Sequence, residues 1–184
     1  MVILLSGGID SLVCAELARE SGDLVGCVFV DYGHPAQQME GWKAFAYCGA
    51  RGVTLRVVHA FGLDLGDMAT AAGARVVPHR NAVLLSLAAN AARGMGGGSL
   101  VIGCNAADQA DYTDCRALFL DAMQRALCVR IVAPLLSRQK PEIIEIARQA
   151  GLTREDAWSC YKAGPRPCGT CPSCREADRA WGVA

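Results

Sequence analysis

The chain has 184 residues, 52% of them hydrophobic, and its 18 basic side chains are balanced by 18 acidic ones. That suffices for one substantial core with at most a small appendage, and zero net charge argues against a protein whose main task is coating nucleic acid, where a basic excess is expected. Met1 runs into an apolar stretch with no basic segment ahead of it, and the longest apolar helical pattern, 82–92, is interrupted by Ser86 and Asn90. Neither an export signal nor a membrane span is therefore expected, and the chain is expected in the cytoplasm.

Strand-like and helix-like patterns alternate along the chain. Val2–Leu5 reads as a buried strand, and Ser11–Glu20 as a helix with Leu12, Ala15 and Leu17 inward. Val25–Val30 is a second strand. Gln37–Gly52 follows as a helix with Trp42, Phe45 and Ala46 at helical spacing, then Thr54–Val58 as a third strand. A loop carrying Gly62, Gly66 and Gly73 leads to Pro78. Asn81–Arg93 is an apolar helix, Ser99–Ile102 a fourth strand, Cys115–Leu127 a helix with Leu118, Ala122 and Leu127 facing in, and Val129–Ala133 a fifth strand. Pro141 suits the first turn of a helix that runs to about Ala150 and is stopped by Gly151. Continuous apolar strands between amphipathic helices predict an α/β fold, an open parallel five-stranded sheet with helices on both faces. The predicted organisation is an ATP-binding domain over 1–157 and a cysteine-bearing tail over 158–184 packed on it.

In parallel sheets ligands bind beyond the carboxyl ends of the strands, and that rule gathers the polar residues. Ser6–Ser11 follows the first strand, Asp31-Tyr32-Gly33 the second, Gly103-Cys104-Asn105 and Asp108 the fourth, and Pro134-Leu135 the fifth, so all are expected on one rim around a nucleotide. The sequence Ser6-Gly7-Gly8-Ile9-Asp10-Ser11 carries the strongest signal. A buried strand turning into a helix leaves free backbone N–H groups at the positive end of the helix dipole, which together cradle an anion, and glycine lets the backbone approach closely. The loop lacks the Lys of G-x-x-x-x-G-K-[ST]. It resembles instead the pyrophosphate loop of ATP pyrophosphatases, which split ATP to AMP and pyrophosphate while adenylating a substrate. On that resemblance Leu5, Ser6, Gly7, Gly8, Ile9, Asp10, Ser11, Leu12, Val13, Cys14 and Ala15 form the ATP-binding segment. A glycine-rich turn is the plain alternative for the loop, and helix capping the plain alternative for Asp10 and Ser11.

Ten cysteines divide into two populations. Cys14, Cys27, Cys48, Cys104, Cys115 and Cys128 are scattered among apolar segments, where free Cys behaves as a small core residue. Cys160, Cys168, Cys171 and Cys174 crowd together near the end of the sequence with two Cys-x2-Cys spacings, the knuckle pattern of a closed tetrahedral zinc site. Zinc is the leading reading; an iron–sulfur cluster and unmetallated thiols remain open. A structural metal would supply much of the folding free energy of so short a tail, which without it should be disordered from about Ser159 onward.

Taken together, these pieces resemble one family, the 7-cyano-7-deazaguanine synthases of the queuosine precursor pathway. The matching pieces are Ser6–Ser11, Asp31-Tyr32-Gly33, Pro78-His79-Arg80-Asn81, Gly103-Cys104-Asn105, Asp108, Asp111-Tyr112-Thr113-Asp114-Cys115-Arg116, Pro134-Leu135, Lys140, and Trp158-Ser159-Cys160-Tyr161 with Cys168-Gly169-Thr170-Cys171-Pro172-Ser173-Cys174. The resemblance implies a fold like that of the adenine nucleotide alpha-hydrolases, of Rossmann type, and a C–N ligase reaction. ATP activates 7-carboxy-7-deazaguanine as an acyl-adenylate, ammonia gives the amide, and a second ATP drives elimination to the nitrile. It also implies zinc on the four cysteines, Mg2+ with ATP, small-molecule substrates without nucleic acid or membrane, and a homodimer. Arg80, Asp111, Asp114, Arg116 and Lys140 are the catalytic candidates that follow. Arg80, Asn81, Asp108, Tyr112 and Cys115 are those for substrate binding. The plain alternatives are a surface Arg80, capping aspartates, a packing Tyr112, an Arg116 merely paired with Asp114, a solvated Lys140 and a packing Cys115.

The sequence departs from the family pattern at His34-Pro35-Ala36, in a shortened segment before Pro78, at Thr113, and at Ala177. Those departures keep two relatives of the reaction open: stopping at the amide, or coupling the activated acid to a protein or nucleic-acid amine. A tRNA sulfurtransferase is disfavoured by the neutral charge and by the placing of the clustered cysteines in the tail.

Overall fold

A computed structural model of the chain describes residues 1–63, 77 and 79–183; Gly66, Gly73 and Pro78 lie outside the described residues. Strands β1 (Val2–Leu4), β2 (Gly26–Asp31), β3 (Leu55–His59), β4 (Ser99–Val101) and β5 (Arg130–Val132) form one sheet in the order β3-β2-β1-β4-β5. Every pairing is parallel, with Val2 opposite Gly26 on one side and Leu100 on the other. The predicted architecture is thus the observed one. Alternation along the strands splits the core. Ile3, Leu5, Cys27 and Phe29 meet α1 (Ile9–Glu20), α2 (Gln37–Arg51) and α6 (Lys140–Gln149), while Val2, Leu4, Val28 and Val30 meet α3 (Arg80–Gly94) and α5 (Ala117–Leu127). Both faces are covered, which is why the strands read as unbroken apolar runs.

The helices differ from expectation in phase more than in extent. In α2, Trp42 and Phe45 are 60% and 61% exposed, and Ala46 faces out with them. Ala44, Tyr47 and Cys48 are the buried stripe. The helix lies so close to the sheet that a Cβ on Gly41 would meet the Phe29 ring at 3.1 Å. In α5, Leu118 and Ala122 face solvent, Leu120 is buried, and Phe119, Met123 and Leu127 pack on the core. Of the scattered cysteines, Cys128 is exposed at the left-handed C-cap of α5, and the other five are buried.

Two helices were not anticipated, α4 (Ala106–Asp111) and α7 (Pro172–Trp181), the latter packed on α6. A short 3-10 turn, Thr113–Cys115, precedes α5. Between α1 and α2, Glu16 is almost fully buried and accepts from Arg19 Nε at 2.7 Å and Arg51 Nε at 2.8 Å. Two donors are what a buried carboxylate requires.

The chain winds from β1 outward through β2 to β3, then crosses to β4 and β5 on the other side of β1. The carboxyl ends of β1 and β4 therefore flank the topological switch point, where such sheets open a crevice.

Candidate active site

Gly7 and Gly8 make the turn between β1 and α1. Gly7 has φ +77°, and a Cβ there would lie 2.3 Å from the Glu40 carbonyl oxygen, so the position excludes every side chain. Gly8 is the N-cap of α1 with no side chain to satisfy the first amides, which leaves them directed at the crevice. The two serines brace the loop from inside. Ser11 Oγ accepts from Ser6 N at 3.2 Å and donates to the Gly8 carbonyl at 2.8 Å, while Gly8 N donates to Ser6 Oγ at 3.3 Å. From β4, Gly103 passes so close that a Cβ would meet the backbone of Asp10 and Ser11 at 3.0 Å.

These elements enclose a cavity of about 290 Å3. Its lining includes the apolar residues Leu4, Leu5, Phe29, Val30, Leu84 and Ile102, and the polar or charged residues Asp10, Tyr32, Glu40, Arg80, Asp108, Tyr112 and Tyr161. Of the predicted ATP segment, Leu5, Ser6, Gly8, Asp10 and Ser11 line the cavity. Leu12, Val13, Cys14 and Ala15 are buried in α1, in the core cluster beneath, and Ile9 packs partly against that core.

Asp10 is not a cap. Lys140, the first residue of α6, places Nζ 2.9 and 2.7 Å from its two oxygens, and both side chains are about one-fifth exposed. Lys140 is therefore no solvated surface residue. It reaches Asp10 from a smaller hollow of about 170 Å3 behind the loop, walled by Trp158, Trp181 and Ile144.

Asn81, Arg80, Asp108, Tyr112 and Cys115, the candidates for substrate binding, all line the cavity. Arg80 follows His79, whose φ of +59° turns the chain sharply into α3, and the Arg80 guanidinium interacts electrostatically with Tyr32. Asn81 Nδ2 donates to the Asp114 carbonyl at 3.1 Å and to Cys115 Sγ at 3.3 Å. Asp108 closes a capping box on α4, Oδ2 accepting from Asn105 N at 3.0 Å, and burial pushes its carboxyl up.

The other three candidates stand outside the lining. Asp114 Oδ2 accepts the Asn81 backbone N–H at 3.1 Å, at the start of α3. Asp111 is exposed at the end of α4. Arg116 is exposed and donates through Nε to the Gln109 carbonyl at 3.0 Å. Glu40 and Tyr161 are lining residues that the sequence reading missed. An acid in the first turn of a helix opposite the phosphate loop is the signal that identifies Glu40.

The tail folds over this site. Trp158 N donates to the Gly7 carbonyl at 2.9 Å. Beyond it the sulfurs of Cys160, Cys168, Cys171 and Cys174 lie within 4.8 Å of one another. Backbone amides face them: Lys162 N and Cys168 N reach Cys160 Sγ at 3.4 Å, Cys171 N reaches Cys168 Sγ at 3.3 Å, and Cys174 N reaches Cys171 Sγ at 3.4 Å. Hydrogen bonds from Thr170 and from the Cys171 amide hold the Cys168 thiol down at about 5. Converging sulfurs with amide donors suit a metal ion bound by thiolates.

The family described as queuosine biosynthesis protein QueC matches residues 1–71 and 64–184. The chain belongs to the QueC family. QueC relatives named 7-cyano-7-deazaguanine synthase are 33% identical in Synechococcus sp. (strain CC9902), covering 97% of this chain and 91% of the relative. In Novosphingobium aromaticivorans the identity is 36%, covering 95% and 86%. Among solved structures, NMN synthetase from Francisella tularensis superposes with a TM-score of 0.61 at 18% identity, covering all of this chain and 77% of that one. The U34-tRNA thiolase NcsA from Methanococcus maripaludis, which holds a [4Fe-4S] cluster, gives 0.56 at 20% identity, covering 99% and 64%. At those identities the structures share the fold of this QueC chain and nothing finer. No helix among its described residues is long and apolar enough to cross a membrane.

Proposed function

We propose that this protein is an ATP-dependent ligase that converts 7-carboxy-7-deazaguanine and ammonia to 7-cyano-7-deazaguanine. The observation that carries the reading is the glycine loop itself, a helix N-terminus at the switch point with no capping side chain, which opens into a cavity lined by both apolar and polar residues. The apolar lining suits adenine. Loop amides suit the phosphates. The polar lining suits the acid.

Carboxylate oxygen leaves poorly and AMP leaves well. In the first half-reaction the acid's oxygen attacks the α-phosphorus, pyrophosphate departs, and ammonia then displaces AMP to give the amide. In the second, the amide oxygen takes the adenylyl group of another ATP, and loss of AMP and two protons leaves the nitrile. Arg80 balances the charge of the incoming carboxylate. Lys140 stabilises the departing pyrophosphate and holds Asp10 in place. Excluding water from the site protects the adenylate. Magnesium, carried in with ATP, supplies charge neutralisation on the phosphates, and Asp10 and Asp108 are the residues to hold it. We read the tail's ion as structural zinc, held by Cys160, Cys168, Cys171 and Cys174 with no open position.

The test is incubation with 7-carboxy-7-deazaguanine, ATP, magnesium and ammonium, followed by mass spectrometry. Nitrile and AMP are the expected products. Amide alone moves the protein to the reading in which the reaction stops there, and absence of ATP-dependent consumption of the acid overturns the proposal.

A further inference from the structure

Three carboxylates line the cavity, those of Asp10, Glu40 and Asp108. Asp10, paired through both oxygens with Lys140, and Asp108, which closes the capping box of α4, are the two assigned above to the magnesium that comes with ATP. Glu40 is held in another way. Its backbone carbonyl is the surface against which Gly7 turns, so its main chain is fixed to the phosphate loop. Its side chain is fixed by His34, whose Nε2 lies 2.8 Å from Glu40 Oε2. His34 is itself 2% exposed and stacks on Tyr32, with ring centroids 4.3 Å apart and planes 16° from parallel.

His34 Nδ1 is buried without a hydrogen-bond partner among the described residues. With Nε2–H donated to the carboxylate, Nδ1 is a bare acceptor. An unpaired buried acceptor costs about 1–3 kcal/mol, and a buried orphan of this kind calls for a reason outside packing. The reason available is Glu40, a carboxylate aimed into the cavity by a rigid partner.

We propose that Glu40 reads the base of the acid substrate, accepting the ring N–H and the 2-amino group of its guanine-like edge, and that His34 is its positioning residue. This rests on the substrate reading given above. A guanine-like edge presents two parallel N–H donors, which a carboxylate accepts as it accepts the fork of an arginine. Adenine offers one donor beside the N1 lone pair, which a carboxylate repels. The cavity must hold two purine-like bases in one turnover, and Glu40 sorts them, admitting the acid's base and repelling the N1 edge of adenine.

The experiment compares 7-carboxy-7-deazaguanine with its analogue lacking the 2-amino group, at saturating ATP and ammonium, in the unaltered protein and in Glu40→Gln. Hydrogen bonds to a charged acceptor predict a preference of about 10- to 100-fold in kcat/KM for the amino compound in the unaltered protein. Glu40→Gln should reduce that preference to about threefold or less while the KM for ATP changes little. His34→Leu should raise the KM for the acid, and His34→Gln, which keeps an N–H for Glu40, should restore it. That pair carries the test should Glu40→Gln fail to fold. Equal discrimination before and after Glu40→Gln, or equal losses on both compounds, overturns the assignment. An unaltered protein that consumes neither compound overturns the substrate reading instead, and the assignment with it.

Discussion

The phosphate loop and the cysteine tail are both short, both glycine-bearing and both built from backbone amides facing an anionic group, yet they are held in opposite ways. The loop hangs on the centre of the sheet. Its strand and helix bury Ile3, Leu5, Leu12 and Val13 completely, and its serines bond only within it. The tail has less of it: α7 packs on α6 and Trp181 touches the main core. Its own buried cluster is Trp158, Cys160 and Cys174 with Ala36 of the α2 N-cap, and two of these are among the four clustered cysteines. On the metal reading proposed above, one region takes its shape from the fold and the other largely from what it binds. They meet at the Trp158 amide on the Gly7 carbonyl, and Tyr161 extends the tail into the cavity.

Metal removal is the strongest way to break this comparison. Structural zinc in isolated fingers supplies about 10–16 kcal/mol of apparent folding free energy. A chelator, or Cys174→Ser, should therefore release the tail from about residue 159 onward while the sheet stays folded. Hydrogen exchange reads both at once: fast exchange over 160–181 with β1 and β4 still protected. Because the tail closes on the loop, turnover should fall with it. A tail that stays protected without metal would show that packing of α7 on α6 is enough, and the contrast between the regions would fail.

Gly7→Ala attacks the loop from the other side. A left-handed φ costs an L-residue about 1–2 kcal/mol, and the Cβ must also displace the Glu40 carbonyl, a backbone atom. A loss of at least about 2 kcal/mol in denaturant unfolding is expected, with ATP binding reduced in parallel. The tail's metal content should not change. Lys140→Met leaves the backbone alone and tests the chemistry. Removing one positioned charge from a developing anion costs about 10²- to 10³-fold in kcat, and leaving Asp10 unpartnered in a pair that is only about one-fifth exposed lowers stability as well. A kcat within a factor of about three of the unaltered protein would mean that Lys140 only anchors α6.

Much of this site was legible because its signals are local. The glycines must adjoin the strand, and the knuckle cysteines must adjoin one another. The apolar strands could be read in the same way, since both sheet faces are covered. What stayed hidden was set by distance and by fit. Lys140 and Asp10 are separated by 130 residues, and no periodicity joins them. His34 and Glu40 meet only because the chain folds back before α2. Trp42 and Phe45 fall at core spacing, yet the stripe that meets the sheet is Ala44, Tyr47 and Cys48, with Gly41 brought against Phe29. In α5, apolar residues occupy several faces, so the phase of the buried stripe depended on where the sheet lay.

The smallest expected effect separates fold from function at a single residue. Burial raises the Asp108 carboxyl above its ordinary value, so the folded chain holds that proton more tightly than the unfolded chain does. The charged form is then a liability to stability at neutral pH, and the liability disappears as pH falls and both states become protonated. Asp108→Asn keeps an oxygen to accept the Asn105 amide in the capping box and removes the charge. It should melt slightly higher than the unaltered protein at pH 7, with the gap closing as pH falls below the carboxylate range. Turnover should decline if Asp108 serves the phosphate-bound metal. Gain in one property with loss in the other would mark Asp108 as a residue kept for chemistry at the expense of the fold, whereas an Asp108→Asn protein that melts lower would show that the capping box depends on the charge and would return Asp108 to a structural role.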